Sequence, residues 1–297
     1  MDIQTAYGTM QNCLRPEYDA SGRLLSAMTL TASVLQIHGQ RCIPQYHFDD
    51  FRRKYIPSVT FYPNGVLRSI SLDQQQNFPS SLGNFPAELL TFYPSGALRR
   101  LFPLNGKLSA YWSEKDELKR NHALPLTING QKMDVKITCL HFYATGALRS
   151  LTLAPSEILI LQTPVGPIKT RIGFSLYPDG ALESLEPAAQ AAIAAELGPI
   201  PIYDPSAVGI HADRNSLRFT PDGHLQSFRT TAALSLQTPQ GFLTTMPATA
   251  ANPLTDNGKI TLPSEILFTP ASLIIKQRQQ ELHLSPNTKI KAKTASA

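Results

Sequence analysis

The densest group of side chains able to do chemistry lies in Tyr203–Phe219, YDPSAVGIHADRNSLRF. It gathers Asp204, His211, Asp213, Arg214 and Asn215 within twelve residues. His211 and Asp213 could form a general base with its orienting carboxylate, or supply two metal ligands. Two residues apart on a strand, their side chains would share a face. No serine or cysteine nucleophile stands nearby in an elbow motif, so the plainer reading is a polar loop with Asx-type hydrogen bonds.

A second group follows Tyr111-Trp112, where Glu114, Asp116 and Glu117 come in quick succession. An aromatic platform flanked by carboxylates is the equipment of a glycosidase; the plainer reading is an aromatic cap over a core. The candidate binding residues are therefore Trp112, Tyr203, Asp204, His211, Asp213 and Arg214, and no catalytic residue is assigned. His38, His47, His122, His141, His224 and His283 are dispersed, and Cys13, Cys42 and Cys139 form no CxxC pair. No metal site is expected, and the cysteines read as small buried side chains. The glycines are isolated rather than grouped as GxGxxG or GxxxxGK[ST], so no phosphate loop and no cofactor is expected.

These groups must be positioned by the elements around them, and those elements recur. SVTFYPNGVLRSISL (Ser58–Leu72) and ELLTFYPSGALRRLFPL (Glu88–Leu104) are the clearest copies of one pattern. CLHFYATGALRSLTL (Cys139–Leu153) and GFSLYPDGALESLEP (Gly173–Pro187) follow it closely. YDASGRLLSAMTL (Tyr18–Leu30) and SLRFTPDGHLQSF (Ser216–Phe228) are weaker copies. Aromatic and β-branched residues precede a glycine, as a pleated strand favours. Pro63, Pro94, Pro178 and Pro221 pre-set φ for a tight turn, and Asn64, Asp179 and Asp222 tolerate positive φ in a hairpin loop. After the turn, apolar residues three apart (Leu67 with Ile70, Leu98 with Leu101, Leu148 with Leu151) break strict alternation, and a bulge in the returning strand would send both to one core.

A looser hairpin motif lies between these copies: LILQTPVGPIKTRI (Leu159–Ile172), LSLQTPQGFLTTM (Leu234–Met246), VLQIHGQRCIPQY (Val34–Tyr46) and LPLTINGQKMDV (Leu124–Val135). The spacing predicts an all-β protein, an array of about six diverged β-hairpin repeats over residues 1–285, spiralling or propeller-like. Helix is expected only in short insertions: PAAQAAIAAEL (Pro187–Leu197), closed by Gly198, and SEKDELKR (Ser113–Arg120), with Ser113 as N-cap. Leu273–Leu284 reads as a last strand or a short helix. Residues 286–297 read as a basic, disordered tail.

Composition narrows the function classes. Charged residues are only 16% of the 297, and the net charge is +5. The basic residues are scattered, with Arg52-Arg53-Lys54 the one close cluster outside the tail, so nucleic acid is not the expected partner. Asp49-Asp50 with Arg52-Arg53 reads as a solvated loop. The row Arg23, Arg68, Arg99 and Arg149, continued by Glu183 and Gln226, would form a ladder if hairpins stack, each guanidinium lying over a neighbouring hairpin's aromatic ring. A basic leader and an 18-residue apolar run are both missing, so the expected compartment is the cytoplasm, with no membrane span.

The copies at Ser58–Leu72 and Glu88–Leu104 resemble the variant MORN repeats of bacterial YwqK-type antitoxin-like proteins, whose signature is a Tyr-x-x-Gly turn followed by a basic strand. Tyr18-Asp19-Ala20-Ser21-Gly22-Arg23-Leu24 is similar to the YD repeat of Rhs-type shells. The tandem glycines and the tryptophan of an ordinary MORN unit are missing. The resemblance implies successive hairpins and protein or lipid binding rather than catalysis. The expected function is a non-enzymatic β-repeat binding or scaffold protein, with another protein as partner; the alternative is an enzyme acting on a carbohydrate or other polar polymer through loop carboxylates.

Overall fold

The structure, a computed structural model, describes residues 1–47, 51–188, 191–195, 198–205, 207, 215–252 and 258–292. The described chain is nearly all β, with one short helix, Glu114–Lys119. It divides into two compact units, Met1–Pro155 and Ser156–Ala297, where the sequence had suggested a single body over 1–285.

In the N-terminal unit eight strands pair antiparallel in an order that follows the chain: Cys13–Tyr18, Leu24–Thr29, Val59–Phe61, Leu67–Ser80, Gly83–Phe92, Leu98–Phe102, Ile137–Phe142 and Leu148–Leu153. The C-terminal unit repeats the plan with Leu159–Thr163, Gly166–Leu176, Leu182–Pro187, Leu217–Phe219, Leu225–Thr230, Ser264–Phe268, Leu273–Gln277 and Gln280–Leu284. Leu273–Leu284 is thus a further hairpin.

The six expected reversals share one geometry. In Tyr62-Pro63-Asn64-Gly65 the Gly65 amide donates to the Tyr62 carbonyl, and the Tyr62 amide donates to the Val66 carbonyl. The same pair of bonds closes the turns at Gly22, Gly96, Gly146, Gly180 and Gly223. Only the glycine has positive φ, +79° at Gly65 and +91° at Gly146. The loop is therefore a type I turn ended by a left-handed glycine. The polar residue before it works differently from expectation: Asn64 and Asp179 keep negative φ and use their side chains, accepting from the Val66 and Ala181 amides at 3.1 and 3.0 Å.

The bulge expected in the returning strand is present in every one of the six. Phe61 faces Leu67 and Thr60 faces Ser69, which leaves Arg68 unpaired between them. Leu25, Arg99, Arg149, Glu183 and Gln226 are skipped in the same way. Arg23 does not belong to this series, because it directly follows its glycine while Leu25 takes the bulged position. The extra residue lets Leu67 and Ile70 both turn inward. One cross-strand row then reads Ala27–Val59–Ile70–Leu90–Leu101–Leu140–Leu151, every member fully buried. The adjacent row, on the opposite face by the period of two, is polar: Ser26–Thr60–Ser69–Thr91–Arg100–His141–Ser150. A core of this kind stabilises by roughly 1.5–3 kcal/mol for each large apolar side chain buried.

The intervening hairpins are also as expected in place, and their turns fall into two kinds. His38-Gly39 and Asn129-Gly130 have positive φ at both loop residues, which is the type I′ pattern. At Thr163–Gly166 and Thr238–Gly241 the threonine hydroxyl bonds across the loop to the glycine carbonyl. Thr5–Gly8 and Ser80–Gly83 close in the same way. Those two copies escaped the sequence reading, although the Thr/Ser-x-x-Gly spacing carries them.

Two expectations fail. Ala191–Ala195 is a strand paired with Gly198–Ile202, not part of a helix. Ile193 faces Ile200 and both are buried, so burial on one side of a hairpin overrides the helix propensity of an alanine-rich run. In the stretch 286–297, Lys289–Ala292 forms a strand on Leu234–Thr238 and buries Ile290 completely. The helix at Glu114–Lys119 does form, with the Ser113 hydroxyl accepting from the Asp116 amide.

A Cβ at Gly146 would meet nothing within 4 Å, so Gly146→Ala tests backbone strain alone. It should lower stability by about 1–2 kcal/mol, measured as a shift in a denaturation curve. Gly146→Asn should recover much of the loss, since asparagine tolerates the left-handed region.

Candidate functional site

Of the residues singled out from the sequence, Tyr203 and Asp204 come together in a cluster of the C-terminal unit. The Asp204 carboxylate pairs with Arg229 at 2.9 Å, and the Asp204 carbonyl accepts from Arg171 at 2.6 Å. The Arg171 guanidinium lies 4.9 Å above the Tyr203 ring and 3.5 Å from Glu186. Glu186 accepts from both the Ser216 amide and hydroxyl, at 2.9 and 2.7 Å. Burial pushes the Glu186 carboxyl up from its ordinary value of 4.5, against the opposing pull of Ser216 and Arg171. His211, Asp213 and Arg214 lie outside the described residues. Asp204 and Glu186 are almost wholly inaccessible and bound to their neighbours, so this cluster ties Tyr203–Asp204 to the sheet.

Trp112 is half-buried, and its indole N–H finds no acceptor among the described residues. The exposed aromatics beside it are Tyr111 and Phe51, 84% and 72% accessible, packed edge to face at 6.2 Å. Of the carboxylates placed here, Asp116 accepts from Ser113 and pairs with Lys119, both on the helix surface. Glu117 turns inward. Its two oxygens meet Arg52 at 2.7 and 2.6 Å, and Arg52 also grips Glu88 at 3.0 and 2.7 Å. All three side chains are buried. Burial alone would lower the Arg52 pKa, but the bonds to Glu117 and Glu88 outweigh it and raise it. Arg53 is buried as well and donates to the Leu72 carbonyl at 2.9 Å. The expected solvated loop is thus corrected at Arg52 and Arg53. Arg52 fastens the helix to the Gly83–Phe92 strand, and Arg53 fastens the adjoining segment to the Leu67–Ser80 strand.

A cavity of about 390 Å³ opens in the N-terminal unit between Tyr7, Ile37, His38, Leu67, Phe92 and the Gly96 turn. His38 bonds through Nε2 to the Gly96 carbonyl at 2.9 Å, with its ring 5.5 Å from Phe92. The Tyr7 hydroxyl accepts from the Leu67 amide at 3.0 Å. Its polar groups therefore brace two neighbouring turns.

The accessible groups of unusual regularity lie on the polar face of the same unit. Arg68, Arg99 and Arg149 sit over Tyr62, Tyr93 and Tyr143 at 5.8, 5.5 and 5.5 Å. Each arginine covers the ring of its own hairpin, not a neighbour's as the sequence suggested. It is the tyrosine that reaches onward. The hydroxyls of Tyr62 and Tyr93 donate to the carbonyls of Phe92 and Phe142 at 2.9 and 2.8 Å, fastening each hairpin to the next. The three guanidiniums make no hydrogen bond or ion pair with any described residue, unlike Arg23 with Asp19. In the C-terminal unit the equivalent position is Glu183, already neutralised by Arg218 at 2.8 Å.

Among the described residues no helix is long and apolar enough to cross a membrane, and no group of three or more His, Cys, Asp or Glu could hold a metal ion. Cys13, Cys42 and Cys139 are buried free thiols, and burial pushes Cys42 up to about 11. No protein-family model, curated protein or solved structure matches the chain.

Two variants separate the buried clusters. Arg52→Met strands two carboxylates in the interior and should cost about 3–5 kcal/mol in denaturation. Glu186→Gln should act through pH. Because the folded-state pKa of Glu186 is raised, its contribution is present in full below 4.5 and is lost as pH rises through the folded value. Denaturation midpoints from pH 4.5 to 7 should decline less in Glu186→Gln than in the parent.

Proposed function

We propose that this is a non-enzymatic binding protein whose working surface is the polar face of the N-terminal hairpins. The reading takes the six hairpins as diverged copies of one unit of the variant MORN type. The observation that carries it is the row of Arg68, Arg99 and Arg149, accessible, uncompensated and held in register by Tyr62, Tyr93 and Tyr143. A fold that needed these charges only for stability gains about 0.5–1 kcal/mol from each exposed cation–π contact. Leaving a guanidinium without an anion on three successive hairpins suits recognition of an acidic partner, because planar donors fit carboxylates. Arg52, which is buried, and Arg171 and Arg229, which are not, have by contrast all found carboxylates within the chain. The partner on this reading is another protein.

Retention on immobilised polyglutamate tests it. The intact protein should be held at low ionic strength and released by salt, and the triple variant Arg68→Gln, Arg99→Gln, Arg149→Gln should elute markedly earlier. Identical elution of the two would remove the proposed surface.

A further inference from the structure

The spacing of the ladder selects a conformation for the partner. Arg68, Arg99 and Arg149 lie on alternate strands of the sheet, because Leu67–Ser80, Leu98–Phe102 and Leu148–Leu153 are each separated by one intervening strand. Neighbouring strands are about 4.8 Å apart, so successive guanidiniums recur at roughly 9.6 Å, measured across the strands. Each occupies the same bulged position and rests on the equivalent tyrosine of its own hairpin, so the three present equivalent donors rather than a random patch.

An extended β-strand places side chains of one face about 6.7 Å apart, which misses this interval. A polyproline II segment rises about 3.1 Å per residue with three residues per turn, so every third side chain falls on one face at about 9.3 Å. An α-helix approaches the interval only at every seventh residue, about 10.5 Å, and would need two further turns for each additional contact. Single-stranded nucleic acid is bound by stacking bases on open aromatic faces, whereas here an arginine already covers each of the three rings.

The geometry points to an acidic, proline-rich peptide as the occupant: a polyproline II segment with a carboxylate at every third residue, lying across the strands from Arg68 to Arg149. The Asn64 side chain, which bonds to the Pro94 carbonyl at 3.0 Å, and the tyrosine hydroxyl bonds hold adjacent turns at fixed separation. The peptide therefore meets a preformed ladder and loses little free energy to ordering of the protein. This inference rests on the binding reading above and specifies its partner.

Fluorescence anisotropy with two synthetic peptides tests it on the full chain. One is Glu-Pro-Pro repeated three times; the other has the same composition with its three glutamates adjacent. The spaced peptide should bind about tenfold more tightly, equivalent to about 1.4 kcal/mol. Arg99→Gln should remove most of that preference, while Arg99→Lys should retain part of it. Arg23→Gln should change nothing, since Arg23 is already paired with Asp19. Equal affinity for the two peptides, abolished in both by the triple glutamine variant, would overturn the register while leaving an acid-binding face intact. Tighter binding of a helical peptide with glutamate at every seventh residue, or of a single-stranded oligonucleotide, would also overturn it. Failure of either peptide to bind, together with no retention on polyglutamate, would overturn both the inference and the reading beneath it.

Discussion

A type I turn can join antiparallel strands only if the chain then passes through the left-handed region, and glycine enters that region without a Cβ clash. Much of the architecture rests on that constraint. Once the glycine sets the reversal, the first residue of the turn is Tyr62, Tyr93, Tyr143 or Tyr177, and its backbone closes the loop from both sides. The bulge at the third residue past the glycine then places one side chain outside and returns the next apolar residue to the core. Tyrosine and arginine meet on the outer face because both are counted from the same glycine. A single local conformation thus sets the inner apolar row, the outer polar row and the tyrosine bond to the next hairpin.

Charge is used in two ways, and desolvation separates them. Inside, buried ions are paired: Arg52 takes two buried carboxylates, and the buried Glu186 and Asp204 take the more exposed Arg171 and Arg229. Burying these groups costs several kcal/mol per ion unless the geometry is good, and the short bidentate contacts of Arg52 meet that requirement. Such pairs secure insertions to the sheet. Outside, Arg68, Arg99 and Arg149 remain hydrated, so a missing anion costs them little, and they stay available to a partner. Of the carboxylates that looked catalytic from their neighbours in the sequence, Asp204 and Glu117 belong to the first group and Asp116 to the helix cap.

The low overall charge gives this ladder its meaning. With only 16% charged residues, an accessible row of one sign stands out from its surroundings. Its reversal at Glu183 in the C-terminal unit confines it to the N-terminal hairpins. Extended faces built from stacked hairpins present equivalent groups at the interval of the strands themselves, so the sheet spacing becomes a selectivity device for a partner with a matching period.

The amino-acid pattern alone determined the reversals, the strands on either side of them, the bulge and the buried thiols, because each follows from a few consecutive residues. Gly65, Leu67 and Ile70 carry that information within one hairpin. It did not determine which arginines are buried: Arg52 and Arg68 look alike in sequence, and only the arrival of Glu88 and Glu117 from 36 and 65 residues away distinguishes them. Nor did it show that Ala191–Ala195 would pair as a strand, or that Lys289–Ala292 would dock on Leu234–Thr238. Those outcomes were decided by tertiary structure, since burial and ion pairing depend on which distant segments share a site, and that information is absent from any local window.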